Sequence, residues 1–277
     1  MLGKQRRLKN ILINDKAIIV PMDHGLSDGP VTGLVNIEHT INEVVTGGAS
    51  AVIIHKGIIK SLKKVPCTGL ILHASGGTSV QLDTNNKVLV ANVEEALRLG
   101  ADAISLHINI GGAPNEPAMV QKLAHISEQC DSWNIPLLAM MYPRGKNITN
   151  ALDSNNVALV ARVGAELGAD IVKTIYTGDV DSFAKVVEGC PVPVVVAGGA
   201  KLDNNRAVLQ MVSDVMEAGA IGVNLGRNIF QHSQPRLMTK AVKGIISHNW
   251  SVEKALDVIE SEKPINVVNS IESKINA

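Results

Sequence analysis

The stretch Gly168-Ala169-Asp170-Ile171-Val172-Lys173-Thr174 decides the fold. A helical pattern ends at a glycine, a small residue follows, and a run rich in apolar, β-branched residues begins. Glycine is the preferred residue in the left-handed turn that closes a helix C-terminus. The stretch therefore reads as a junction from helix into strand. The same junction recurs at Gly48-Ala49-Ser50, Gly100-Ala101-Asp102 and Gly219-Ala220-Ile221. An α+β or all-α chain gives no reason for four copies of one such junction.

Outward from these junctions, eight apolar runs can be counted, at residues 17–22, 51–55, 69–73, 103–107, 136–141, 170–174, 192–197 and 221–225. Turn residues bound each run, and the gaps hold helical patterns such as 92–99, 117–132, 155–167 and 206–218. Strand alternating with helix gives βαβ units and a parallel sheet. Aromatic residues are only 2% of the chain, so Val, Ile, Leu and Ala must build the core. That suits strands buried on both faces. Eight such units in roughly 240 residues are the arithmetic of a (β/α)8 TIM barrel. An open doubly wound sheet is the rival, but no Gly-x-Gly-x-x-Gly follows the first run. Residues 1–16 read as a short amphipathic helical extension before the barrel, and 250–277 as the last helix and a polar tail. No linker divides the chain, so a single domain over 1–277 is expected.

The chain carries 26 basic and 26 acidic side chains, so it has no global attraction to nucleic acid or to an anionic membrane. Any anionic ligand must be caught locally. The near absence of stacking aromatics also speaks against a nucleic-acid role. No apolar run is long enough to span a membrane. The basic segment 1–10 is not followed by an apolar stretch with a cleavage site, so a cytoplasmic protein is expected. Cys67, Cys130 and Cys190 are odd in number and widely spaced, which argues against a disulfide framework. Cys130 and Cys190 have no evident base beside them and read as structural.

In a barrel the chemistry sits at the C-terminal ends of the strands. The first run ends in Pro21-Met22-Asp23-His24-Gly25, where Asp23 is either a reactive carboxylate or a turn-capping one. The fifth ends in Met140-Met141-Tyr142-Pro143-Arg144-Gly145. Tyr142 either presents a phenol proton to substrate or covers the rim with its ring. Arg144 either meets an anion or is a solvated loop charge. Lys173 lies inside the sixth run among apolar neighbours, where a lysine is costly unless paired. It is a candidate Schiff-base amine, or it snorkels from the mouth or pairs with Asp23. The seventh and eighth runs end in Gly198-Gly199 and Gly226-Arg227. Glycine turns after these two strands form a common phosphate site in barrels. His55, His73 and His107 also end runs; they are hydrogen-bonded rim residues or, on the rival reading, metal ligands.

These motifs together, Pro21-Met22-Asp23-His24-Gly25, Met141-Tyr142-Pro143-Arg144-Gly145, Val172-Lys173-Thr174 and the glycine turns, resemble the class I aldolases of the archaeal fructose-bisphosphate aldolase type. The resemblance spans nearly the whole chain and keeps the motif order. The Met-Met-Tyr-Pro-Arg-Gly wording resembles the heptulosonate synthases of that group more than its fructose-bisphosphate aldolases. It implies a Schiff base between Lys173 and a ketose phosphate, with Tyr142 and Asp23 handling protons. It implies that Gly198, Gly199, Gly226 and Arg227 hold the donor phosphate and that Arg144 meets a second anionic group. It implies ketose phosphate and aldehyde substrates, a homo-oligomer (a decamer of paired pentamers), no metal and no cofactor. Transfer to aspartate semialdehyde in aromatic biosynthesis is the first reading. Fructose 1,6-bisphosphate cleavage and a dihydroxyacetone phosphate–aspartate semialdehyde condensation are its neighbours. A non-catalytic phosphosugar-binding barrel and a barrel with a metal at its histidines are readings of other classes.

Overall fold

A computed structural model describes residues 2–202 and 204–261. The eight barrel strands are β1 (Ala17–Pro21), β2 (Ala51–Ile54), β3 (Gly69–His73), β4 (Ala103–Ile110), β5 (Leu137–Pro143), β6 (Ile171–Ile175), β7 (Val194–Ala197) and β8 (Gly222–Asn224). All neighbours pair in parallel, and β8 closes onto β1 through Ala17↔Gly222, Ile18↔Val223 and Ile19↔Asn224. The chain is the expected (β/α)8 barrel.

The junction glycines do what the repeat required. Gly48, Gly100, Gly168 and Gly219 have φ of 100°, 75°, 89° and 94°. In three of the four junctions the third residue is polar and has its own task. Ser50 Oγ accepts from Ile18 N at 2.9 Å, Asp102 Oδ2 from Leu70 N at 2.9 Å, and Asp170 Oδ2 from Leu137 N at 2.8 Å. Each satisfies the first free N–H of the neighbouring strand, which would otherwise be a buried orphan. Helix starts are capped locally. Asn36, Asn92, Asp153, Asp179 and Asn204 each accept a backbone N–H of the following turn.

Alternate strand residues face opposite ways, so the core has two layers. Ile18, Val20, Val52, Ile54, Leu72, Ile104 and Val172 pack outward under the helices. Ile19, Ile53, Ile71, Leu138, Met140, Ile171 and Val195 fill the barrel. The helix Leu2–Ile11 plugs the bottom of that inner layer with Ile11, which is fully buried, and with the partly buried Leu8. Lys4 holds it there through Asp170 at 2.8 Å, and Asn10 through Asp102 at 2.7 Å. The chain then turns through Asn14 and Asp15, both left-handed, into β1. The last helix covers Val252–Ser261; the polar tail expected beyond it lies outside the described residues.

Two features differ from expectation. β4 and β5 run past His107 and Met141, because seven pairs from Ile104↔Leu137 to Ile110↔Pro143 continue beyond the apolar runs. A small antiparallel hairpin, Ser75–Gly76 with Val88–Leu89, rises from the loop after β3.

Candidate active site

The inward-facing positions become polar at the top of the barrel. Two residues above Ile53, Ile71 and Ile171 come His55, His73 and Lys173. Above Met140 comes Tyr142. Asp23 stands just past β1. These groups line one cavity of about 220 Å³, together with His24, His107, Lys87, Arg144 and Arg227. The structure thus brings Asp23, Tyr142, Arg144, Lys173 and Arg227 to one place, although the sequence spreads them over the ends of four strands.

Lys173 is only 6% exposed. Its Nζ donates to Asn224 Oδ1 at 3.3 Å, across the barrel interior. Asn224 is fully buried, and its Nδ2 has no partner among the described residues. The alternative pairing of Lys173 with Asp23 gives way to other neighbours. Asp23 Oδ2 lies 3.5 Å from His73 Nε2, and Oδ1 lies 3.6 Å from His24 Nδ1. Burial alone would raise the Asp23 carboxyl. In the acid range where a carboxyl titrates, the charged forms of His73 and His24, then Lys173 and His55, outweigh burial and hold it well below the usual carboxylate range. Asp23 is therefore an anion, able to take a proton.

The histidines are uncharged near neutral pH. Burial pushes His73 down to about 4, against the upward pull of Asp23. It also lowers His24 and His55, and lowers His107 strongly with help from Arg144. Their hydrogen bonds fix their tautomers. The Asp23 carboxylate, 3.5 Å from His73 Nε2, favours the ring proton on that nitrogen, and the Ser105 hydroxyl then donates to Nδ1 at 2.8 Å. His55 Nδ1 donates to the His73 carbonyl at 3.1 Å. Asn109 Nδ2 donates to Asn85 O at 2.7 Å, which turns Asn109 Oδ1 toward His107 Nε2–H at 2.9 Å. Each of these three histidines has one ring nitrogen committed inside the protein. Among the described residues no group of three or more His, Cys, Asp or Glu could hold a metal ion.

Tyr142 is 8% exposed and packed between two neighbours. The His107 ring lies 4.7 Å from it, and the Arg144 guanidinium stands 4.7 Å over its face. The turn that follows is fixed by contact with the next loop. Arg144 N donates to Ile110 O at 2.8 Å. Gly145 has φ 154°, and a Cβ on it would sit 2.2 Å from Gly111 O, so only glycine allows this approach.

The two glycine turns meet each other. Arg227 Nη2 donates to Gly199 O at 2.9 Å, and Asn228 Nδ2 to Gly198 O at 2.8 Å. A Cβ on Gly226 would meet His24 Cε1 at 2.9 Å. Arg227 reaches the cavity and its Nε is buried without a partner among the described residues. Gly198, Gly199 and Gly226 support Arg227 from the side rather than lining the cavity.

Sequence reasoning passed over Asn224, Lys87 and the role of His24. Asn224 left a signal: it is the one polar side chain inside the apolar run at 221–225. Lys87 left none, because it reaches the mouth only through the inserted hairpin.

Comparison with known proteins agrees with this arrangement. The model of the DeoC/LacD family aldolases matches residues 17–232. A 2-amino-3,7-dideoxy-D-threo-hept-6-ulosonate synthase of Archaeoglobus fulgidus is 42% identical over 93% of this chain and 96% of its own length. A 2-amino-4,5-dihydroxy-6-oxo-7-(phosphonooxy)heptanoate synthase of Streptomyces griseus is 40% identical over 85% of this chain and 86% of its own. An archaeal fructose-1,6-bisphosphate aldolase, solved with its catalytic Lys covalently bound to the carbinolamine intermediate, superposes with a TM-score of 0.83. It is 30% identical and covers 88% of this chain and 99% of its own. Among the described residues no helix is long and apolar enough to cross a membrane. The chain belongs to the DeoC/LacD family of aldolases, as an enzyme of its lysine Schiff-base class.

Proposed function

We propose that this protein is a Schiff-base transaldolase. It takes a three-carbon ketol unit from 6-deoxy-5-ketofructose 1-phosphate and adds it to L-aspartate 4-semialdehyde. The product is 2-amino-3,7-dideoxy-D-threo-hept-6-ulosonate, which feeds aromatic amino acid biosynthesis. The observation that carries the reading is Lys173, buried at the centre of the barrel and opening into a cavity shared with the Asp23 carboxylate and the Tyr142 phenol.

In the proposed sequence the Lys173 amine adds to the C5 ketone of the donor, and water leaves to give a protonated imine. Asp23 or Tyr142 takes the proton of the C3 hydroxyl. The C3–C4 bond breaks, and its electron pair moves into the imine as an enamine. The phosphorylated fragment departs as an aldehyde. The enamine carbon then attacks the aldehyde carbon of the semialdehyde, the new alkoxide takes a proton, and water frees Lys173. The imine is the electron sink throughout, so the scheme needs no cofactor. Arg227, backed by Gly198, Gly199 and Gly226, receives the donor phosphate; Arg144 receives a second anionic group. The same reading takes the protein as a cytoplasmic homo-oligomer.

A second reading has a specific support. The name of the Streptomyces relative carries a phosphonooxy group on C7, so its donor unit keeps its phosphate, and its identity is 40% against 42%. Incubation with aspartate semialdehyde and either the ketofructose phosphate or dihydroxyacetone phosphate separates the two. A seven-carbon product without phosphate is expected. A phosphorylated one moves the assignment to the second reading. Cleavage of fructose 1,6-bisphosphate far faster than either transfer would reject both.

A further inference from the structure

The hairpin inserted after β3 brings a second cation to the mouth of the cavity. Lys87 precedes its outer strand, and Lys87 and Arg144 line the same cavity from the loops after β3 and β5. Among the described residues neither side chain has an ion pair; Asp28, Asp23 and Asp83 attract Lys87 from beyond pairing distance. Two like charges around one small cavity repel each other, and an anion bound between them relieves that repulsion.

The hairpin is held in place for this. Asn109, fully buried on β4, donates to Asn85 O at 2.7 Å, just before Lys87. Lys122 donates to the carbonyl of Lys87 itself. Val90 N donates to Ala74 O at 2.8 Å and closes the hairpin base. Asn109 is in turn held by His107, whose ring packs on Tyr142, over which Arg144 lies. One chain of contacts thus sets both cations relative to Tyr142.

We infer that Lys87 is a specificity residue: with Arg144 it forms a clamp for the anionic group that the acceptor aldehyde carries away from its reacting carbon. This deepens the proposed function and rests on it for the word acceptor. The anion itself is a carboxylate or a phosphate, chemistries that two cations at one site serve alike. Asn109 is the positioning residue that keeps Lys87 in reach.

Calorimetric titration with L-aspartate and with glycerol 3-phosphate, unreactive counterparts of a carboxylate-bearing and a phosphate-bearing acceptor, tests the clamp without any Schiff-base step. Wild type should bind one of them, and the preferred one identifies the anion. K87Q should weaken that binding roughly tenfold or more. In turnover, K87Q should raise KM for the anionic aldehyde more than it lowers kcat, and N109A should do the same while N109Q restores part of the loss. Wild-type affinity in K87Q, or no binding of either probe to the wild type, would overturn the clamp. Loss of a borohydride adduct at Lys173 with the clamp intact would instead tell against the proposed function alone.

Discussion

Lowering the pH from neutral to 4 should destabilise this protein in a way that His73 can account for by itself. His73 is 4% exposed and is pushed down from 6.5 to about 4 by burial, while its unfolded counterpart titrates near 6.5. Between those values the unfolded chain binds the proton and the folded chain does not. Stability is therefore full above pH 6.5 and falls as the pH drops toward 4. At about 1.4 kcal/mol per pH unit, a shift from 6.5 to about 4 costs on the order of 3 kcal/mol. Asp23 works in the same direction at lower pH: its depressed carboxyl gives stability that is lost as the pH falls below the ordinary carboxylate range. The assay is urea unfolding of wild type and H73Q at several pH values from 7.5 down to about 4. Glutamine can still meet Ser105 but carries no titratable proton, so the difference between the two curves isolates His73. The difference should narrow by about 3 kcal/mol as the pH falls. Parallel curves over that range would refute the claim that His73 is held neutral beside Asp23, and with it the reason given for Asp23 as an anion facing an Nε2 proton.

Two further predictions follow from the cavity and the plug. Y142F should fold normally and keep its packing against His107 and Arg144, yet lose kcat by about 10²–10⁴-fold, the size expected for removing a proton-transfer group; unchanged kcat in a steady-state assay would assign all proton work to Asp23. I11A should cost about 2–5 kcal/mol in chemical denaturation, because Ile11 is fully buried where the N-terminal helix closes the barrel floor. A cost below about 1 kcal/mol would mean that the helix is not part of the core.

Much of the fold was legible because the barrel repeats itself. Four glycine junctions and eight apolar runs suffice to count units, and periodicity separates strand from helix. The polar third residue of the junction was visible as a pattern, but its task was not. Asp170 bonds to Leu137 and Lys4, residues far away in sequence, and no local rule points to them. The strand ends after His107 and Met141 were read short for a related reason. Polar residues normally mark the end of a buried run, yet here β4 and β5 support each other beyond the apolar core. At the site, Lys173 stood out because a lysine inside an apolar strand needs an explanation. Its partner Asn224, though the one polar side chain in its run, reads as an ordinary strand-end asparagine until the barrel closes and sets it 3.3 Å from the amine. Lys87 was illegible for the opposite reason: it lies in a polar loop, and only the hairpin turns that loop inward over the mouth.

The account stands or falls on whether Lys173 forms an imine. The protein is mixed with the ketofructose phosphate, reduced with borohydride, digested and mapped by mass. A three-carbon adduct without phosphate on the peptide that contains Lys173 is the predicted result. A folded, unlabelled protein, or an adduct confined to another lysine such as Lys87, would contradict it.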